Sequence, residues 1–85
     1  METVTITANI SEKKKVEFYQ TMESLKTLVK NYCNNLDISV EENNVLIHIT
    51  FDGKVELEKN FYNSEFNILK GTLKSLCNNT TIKIN

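Results

Sequence analysis

At 85 residues the chain is short, and its 10 lysines, 11 acidic residues and lack of arginine leave a formal net charge of −1. A chain of this length buries only about 60–65% of the surface that it exposes when unfolded, so residues 1–85 are predicted to form a single domain with a thin core. The missing arginine argues against a nucleic-acid partner, because phosphate recognition favours arginine. No apolar run approaches the ~20 residues that span a bilayer, which argues against a membrane partner.

The first part of the chain predicts a strand and then a long helix. Apolar and polar side chains alternate over residues 4–10, as in a strand with one buried face. Ser11 is a suitable N-cap for a helix from about Glu12 to Cys33. Asn34 or Asn35 would then close this helix in the left-handed conformation.

The next part predicts a β-hairpin. Alternation returns over residues 36–40 and again over residues 45–51, with Glu42-Asn43-Asn44 between the two runs. We expect an asparagine to adopt a positive φ in this turn. In the second of these strands, Leu46, His48 and Thr50 lie on the face opposite the apolar positions.

Residues 54–60 fit two structures. Val55 and Leu57 alternate as in a strand, whereas Leu57 and Phe61 are four apart as on one side of a helix. Asp52 would be the cap of such a helix.

The last part predicts a second long helix and a final strand. Ser64-Glu65 repeats the Ser11-Glu12 start signal of the first helix. Asn78 or Asn79 is expected to end this second helix. Ile82 and Ile84 then alternate with polar residues, as in a strand. The helix carries an apolar stripe spaced 4, 3, 4 and 3, formed by Tyr62, Phe66, Leu69, Leu73 and Leu76. The same spacing occurs 44 positions earlier, at Phe18, Met22, Leu25, Val29 and Tyr32.

Two similar β-α-β halves predict an α+β, ferredoxin-like βαββαβ fold, with a four-stranded antiparallel sheet and the helices on one face. The other face of the sheet would be mixed in character. Its predicted members are Thr5, Thr7, Asn9, Ser39, Leu46, His48, Thr50 and Lys83.

Few residues suggest chemistry. His48 is the only histidine, so no metal site is predicted; it is either a hydrogen-bonded sheet residue or a proton donor and acceptor in a pocket. Cys33 and Cys77 are not a CxxC pair and fit small buried side chains; together with the lack of an apolar leader they predict a reducing cytoplasm. Gly71, inside the second helix, indicates the close approach of a strand or a ligand, with close packing the preferred interpretation.

Residues 49–84 resemble the antibiotic biosynthesis monooxygenase family. In that family an aromatic residue, usually Trp, ends the third strand, and an acidic residue follows; Phe51-Asp52-Gly53 matches this pattern. A short helix with a Leu and a His comes next, where this chain has Leu57 and Asn60. Ser64-Glu65-Phe66 fits the start of the long helix, and its body fits Leu69-Lys70-Gly71 with Leu73 and Leu76.

The resemblance implies a homodimeric α+β barrel with a small-molecule cleft between the helices and the sheet of each protomer. Its members include cofactor-independent quinone-forming monooxygenases and haem-degrading enzymes; for this chain we expect no cofactor and a small aromatic ligand. The resemblance also implies that residues 54–61 form a short helix. The dimer would bury the sheet face that carries His48. The ligand-pocket candidates are Phe51, Asn60, Phe61, Phe66, His48 and Asn9.

This chain departs from the family at positions that matter for catalysis. Phe51 replaces the usual Trp and Asn60 replaces the His, and the Asn, Trp and second-helix His of the haem-degrading members are not matched. Asn9 could correspond to the first-strand Asn of the haem-degrading members, but its side chain would then lie on the face of the sheet opposite Ile6 and Ala8. No catalytic residue is therefore assigned.

Three functions follow as hypotheses. The first is a cofactor-independent monooxygenase acting on a small aromatic or quinol-type substrate. The second is a non-catalytic dimeric module that binds a small ligand or a protein. The third, nucleic-acid binding through an RRM-like sheet, is disfavoured because the outward positions lack aromatic residues and arginine.

Overall fold

The computed structural model describes all residues 1–85. Its four strands are β1 (Glu2–Asn9), β2 (Asn35–Glu41), β3 (Asn44–Phe51) and β4 (Asn78–Ile84), and its three α-helices are α1 (Lys15–Val29), α2 (Lys54–Asn60) and α3 (Ser64–Leu76). Short 3₁₀ turns, Glu12–Lys14 and Lys30–Tyr32, precede and follow α1. None of the helices combines the length and the apolar character needed to cross a bilayer.

The strands form one antiparallel sheet in the order β2-β3-β1-β4. This is the predicted ferredoxin-like fold, since each helix-containing connection passes over one intervening strand. Residues that are directly paired across neighbouring strands lie on the same face of the sheet. One such row contains Ile38, Ile47, Ile6 and Ile82, so the equivalent positions Ile38 and Ile82 of the two halves occupy its two ends.

The core lies between one face of the sheet and the helices, and all 20 buried residues are apolar. The two predicted helical stripes supply Phe18, Met22, Leu25 and Val29 from α1, and Phe66, Leu69, Leu73 and Leu76 from α3. Tyr62 was predicted to belong to the second stripe but is 56% exposed. It lies in the turn before α3, where the helical spacing does not apply.

Residues 54–60 are helical, as the family resemblance implied. The predicted capping role of Asp52 is wrong, because Gly53 occupies the N-cap position and no side chain makes a capping hydrogen bond there. Helix α3 begins at Ser64, as expected. The cap is Asn63, whose side-chain oxygen accepts the N–H of Phe66 at 2.8 Å.

Positive φ angles occur at two residues, Glu42 and Asn79, both with φ of 56°. The predictions that Asn34 or Asn35 closes α1, and that an asparagine takes the positive φ of the hairpin, are therefore wrong. In the hairpin, Asn43 instead binds the end of β1. Its carbonyl accepts the Ile10 N–H at 2.9 Å, and its side-chain Nδ2 donates to the Ile10 carbonyl at 2.7 Å.

Candidate functional site

Three phenylalanines join α2, α3 and the end of β3. The ring centroids of Phe51, Phe61 and Phe66 are 5.7–6.1 Å apart, in edge-on or tilted orientations that favour aromatic pairs. Phe51 and Phe66 are 0% exposed and Phe61 is 2% exposed. The rings therefore fill the space between the helices and the sheet, and their mutual packing fixes the α2–α3 turn against β3.

Asn60 ends α2 and is half-buried. Its side-chain Nδ2 donates to the Glu56 carboxylate one helical turn earlier, at 3.2 Å. Asn60 lines a depression of about 210 Å³ together with Phe51 and Cys33. The amide thus shares this depression with one ring of the aromatic cluster, and its hydrogen-bond partner is a side chain of its own helix.

His48 and Asn9 lie on the opposite face of the sheet from the phenylalanines. His48 is exposed and stands beside Thr5 on β1 and Asp37 on β2. Asn9 donates to the Asn44 side chain at 2.9 Å and accepts from Asn79 at 3.1 Å. The six candidates therefore occupy three separate places: the aromatic cluster, the end of α2 and the open sheet face.

A groove that the sequence did not predict runs between α3 and the edge strand β4. Its volume is about 460 Å³. Aromatic, cationic and branched aliphatic side chains surround it, and no acidic residue lines it. The lining residues are Phe61, Tyr62, Asn67, Lys70, Gly71, Lys74, Ile82 and Ile84.

Lys70 is held in this groove by three contacts. Its Nζ donates to the Phe61 carbonyl at 2.8 Å and lies 4.2 Å from the Phe61 ring centroid and 4.7 Å from that of Tyr62. Both rings are within the range of a cation–π interaction. The carbonyl is exposed by the break between α2 and α3, so Lys70 also neutralises the negative end of α2.

The environment of Lys70 affects its proton equilibrium. Partial burial lowers the pKa of the Lys70 amine, and the positive charge of Lys74 lowers it further. The groove thus combines apolar walls with an amine that gives up its proton more readily than an ordinary lysine does. Such a surface suits a flat aromatic molecule that carries a phenolic or carboxylic oxygen.

The sequence contained one signal of this groove. Lys70 and Lys74 are one turn apart and share one side of α3, and Gly71, three residues before Lys74, leaves an open position beside them. The aromatic and aliphatic walls come from the α2–α3 turn and from β4. Their meeting depends on the tertiary fold, which spacing alone does not reveal.

The two cysteines are free. Burial raises the pKa of both thiols, and the charge of Lys14 partly offsets this increase at Cys77. Protonated thiols are poor nucleophiles, in agreement with the predicted packing role. No group of three or more His, Cys, Asp or Glu side chains is arranged to hold a metal ion.

Several solved structures share the fold over almost the whole chain. A crystal structure of antibiotic biosynthesis monooxygenase has a TM-score of 0.80 at 12% identity and covers 100% of this chain and 96% of its own. A candidate antibiotic biosynthesis monooxygenase from Deinococcus radiodurans has a TM-score of 0.83 at 14% identity, covering 100% and 90%. A conserved protein from Methanosarcina mazei Go1 has a TM-score of 0.79 at 18% identity, covering 99% and 89%.

No protein-family model matches the sequence, and no curated protein matches it either. The structural likeness, at these low identities, establishes the fold. It agrees with the resemblance found in residues 49–84, since the neighbours include structures named as antibiotic biosynthesis monooxygenases.

Proposed function

We propose that the protein is a cofactor-independent, monooxygenase-like protein that takes up a small aromatic, quinol-type molecule in the α3–β4 groove and acts as a cytoplasmic homodimer. The observation that carries this proposal is the position of Lys70. Its amine stands 4.2 Å from the Phe61 ring in a groove that Ile82 and Ile84 also line. An aromatic ring would pack against the apolar walls, and its oxygen would contact the Lys70 amine.

For this reaction the groove must stabilise the phenolate form of the bound phenol. A phenol has a pKa near ~10, and partial burial lowers the pKa of the Lys70 amine from its ordinary value. Lys70 would either accept the phenol proton or stabilise the anion as an ammonium. Both raise the share of the electron-rich anion, which transfers an electron to O₂ more readily than the neutral phenol.

The overall reaction balances without an external reductant. A phenol and O₂ give a quinone and water: one oxygen atom becomes the new carbonyl opposite the hydroxyl, and the other leaves as water. The substrate supplies all four electrons. The names of the fold neighbours support a reaction of this kind, and the departures at Phe51 and Asn60 leave Lys70 as the residue to test.

A second candidate is a non-catalytic dimeric module that binds a small ligand or serves as a structural partner. The packing of Phe51, Phe61 and Phe66 favours it, because these rings fill the inner cleft. Asn60 and Lys70 also have structural hydrogen bonds within the chain. Under this candidate the groove would bind an aromatic molecule and leave it unchanged.

Titration with 1-naphthol separates the two candidates. If 1-naphthol binds in the groove, the backbone amide signals of Tyr62, Lys70 and Ile82 should shift in ¹H–¹⁵N spectra. If it is also oxidised, an oxygen electrode should record O₂ uptake. Product analysis after reaction under ¹⁸O₂ should then find 1,4-naphthoquinone that carries one labelled oxygen atom. Binding without oxygen uptake would support the non-catalytic module. Absence of binding at the groove would overturn the monooxygenase candidate and the ligand-binding form of the module, and would leave only the structural form.

The matched variants are Lys70→Met and Lys26→Met. Methionine keeps much of the length of the side chain at position 70 and removes its charge, so binding of 1-naphthol should weaken at least about tenfold, as expected for the loss of roughly 1.4 kcal/mol. Lys26 is exposed on α1, outside the groove. Its substitution should leave the affinity unchanged, and equal losses in the two variants would argue against a specific role of Lys70.

A further inference from the structure

Gly71 lies in the interior of α3 without a packing reason within the chain. Glycine is less favourable than alanine in a helix interior. A Cβ atom placed on Gly71 would meet nothing within 4 Å, and the residue is exposed. The close packing predicted from the sequence is therefore wrong, and an alanine would fit the isolated chain without any displacement.

Two grooves meet at this glycine. One is the α3–β4 groove, and the other, of about 360 Å³, lies between α1 and α3 and is lined by Glu17, Thr21 and Ile68 among others. Asn67 and Gly71 line both. A side chain at position 71 would project into the place where the two depressions join.

The charges of the two grooves differ. The α1–α3 groove contains the carboxylate of Glu17 and no lysine. The α3–β4 groove contains Lys70 and Lys74, which are one helical turn apart and both lie on the β4 side of Gly71, and it contains no carboxylate. An anion is therefore favoured on the β4 side of Gly71 and disfavoured on the α1 side.

We propose that Gly71 is a specificity-determining contact for a planar aromatic anion of one or two rings. This inference rests on the proposed function and names the ligand class of the same groove. The ring lies flat across the α3 backbone at Gly71, and its carboxylate or phenolate oxygen faces the ammonium groups of Lys70 and Lys74. The helix retains a residue of low helix propensity because any side chain there occupies the place of the ring.

Stability and binding should consequently respond in opposite directions to a side chain at position 71. Gly71→Ala adds a methyl group where no chain atom is near, so the helix gains stability and Tm should rise by about 4–8 °C. The same methyl group lifts the ring from the backbone. Affinity for the probe 1-naphthoate should fall about tenfold in Gly71→Ala and further in Gly71→Leu.

Gly53→Ala is the matched control. Gly53 has an extended backbone (φ −173°) that any residue adopts, and a Cβ there also meets nothing within 4 Å. It lines none of the grooves. Binding of 1-naphthoate, followed by fluorescence titration, should therefore be unchanged in this variant.

Each other result has a definite meaning. Unchanged affinity in both Gly71 variants, beside a wild type that binds the probe, would overturn the role of Gly71 and leave the proposed function standing. A fall in Tm for Gly71→Ala would also overturn it, because the glycine would then serve packing. A wild type that binds neither 1-naphthoate nor 1-naphthol would overturn the proposed function together with this inference.

Discussion

At the scale of single residues, the hydroxyl of Thr80 is a buried polar atom without a hydrogen-bond partner. Thr80 lies on the inward side of β4, whereas the next residue, Thr81, is exposed. A buried hydroxyl that makes no hydrogen bond loses its hydration without compensation, at a cost of about 1–3 kcal/mol. Valine has nearly the same shape and carries no such group.

We therefore expect Thr80→Val to raise the free energy of unfolding by about 1 kcal/mol in urea denaturation. Thr81→Val makes the same chemical change on the other side of the same strand, outside the core, and should change the stability of the single chain by less than about 0.5 kcal/mol. An equal gain in both variants would attribute the effect to the strand preference of valine and not to the buried oxygen.

Phe66 distinguishes a core role from a binding role. Its ring is fully buried against Phe51 and Phe61, so Phe66→Ala should cost about 3–5 kcal/mol of unfolding free energy. Tyr62→Ala, on the other side of the α2–α3 break, removes a ring that is 56% exposed and should cost well under half as much. Urea titration of both variants at low temperature checks the difference; a stable Phe66→Ala protein would mean that the ring is not part of the core.

The thiols give a pH dependence with a defined sign. Burial raises the folded-state pKa of Cys33 and Cys77 above the unfolded value near ~8.5, so the unfolded state binds fewer protons in this window. The stability that they contribute is present below that value and is lost as the pH rises through the folded-state pKa. Between pH 8 and pH 10 the wild type should therefore lose more unfolding free energy than the double variant Cys33→Ala/Cys77→Ala. A difference between the two proteins that stays constant over this range would contradict the raised pKa values.

At the scale of elements, the break between α2 and α3 organises both the core and the groove. Asn63 caps α3 through the Phe66 N–H, while Lys70 and Asn67 donate to the carbonyls of Phe61 and Tyr62 at 2.8 and 3.4 Å. Side chains of α3 thus satisfy backbone groups that the end of α2 leaves free. The turn that results points Phe61 inward and leaves Tyr62 outside.

Asn63→Ala should lower the free energy of unfolding by about 1 kcal/mol, because the Phe66 N–H loses its acceptor. Ser11→Ala is the matched control, since Ser11 occupies an N-cap position without making a side-chain capping bond. Its effect on urea denaturation should be close to zero. Equal losses in the two variants would show that the hydrogen bond to Phe66 is not what stabilises the start of α3.

These elements also show what the sequence could predict. Alternation and helical spacing identified all four strands and both long helices, because burial of one face imposes a strict period. The caps were less predictable: Asn63 and Ser64 are adjacent and equally suited to cap, and the choice depends on where the backbone turns. Residues 54–60 fit two periods, and the family resemblance was needed to decide between them.

The candidate site was less accessible to sequence reasoning than the fold. The spacing of Phe61 and Phe66 predicted that they face inward, but whether rings line a cleft or fill it depends on the distance between α3 and the sheet. The α3–β4 groove joins residues from the α2–α3 turn and from β4. No local period links Lys70 to Ile82, so their proximity required the tertiary structure.

At the scale of the whole molecule, the helices cover one face of the sheet and leave the other open. The open face carries mainly threonine, asparagine and a few charged side chains, and Leu46, 38% exposed, is its one large apolar residue. In the proposed homodimer, this face meets the same face of a second chain. Each residue near the two-fold axis would then occur twice in the interface.

Leu46→Lys should therefore dissociate the dimer, because it replaces the apolar side chain by two like charges in a buried interface. Light scattering after size-exclusion chromatography should give about twice the 9.8 kDa mass of one chain for the wild type and a single-chain mass for the variant. Ile68→Lys, at a residue 52% exposed on α3, makes the same change on the helical side and should leave the dimer intact. A monomeric wild type at micromolar concentration, or dissociation by Ile68→Lys alone, would contradict an interface through the open sheet face.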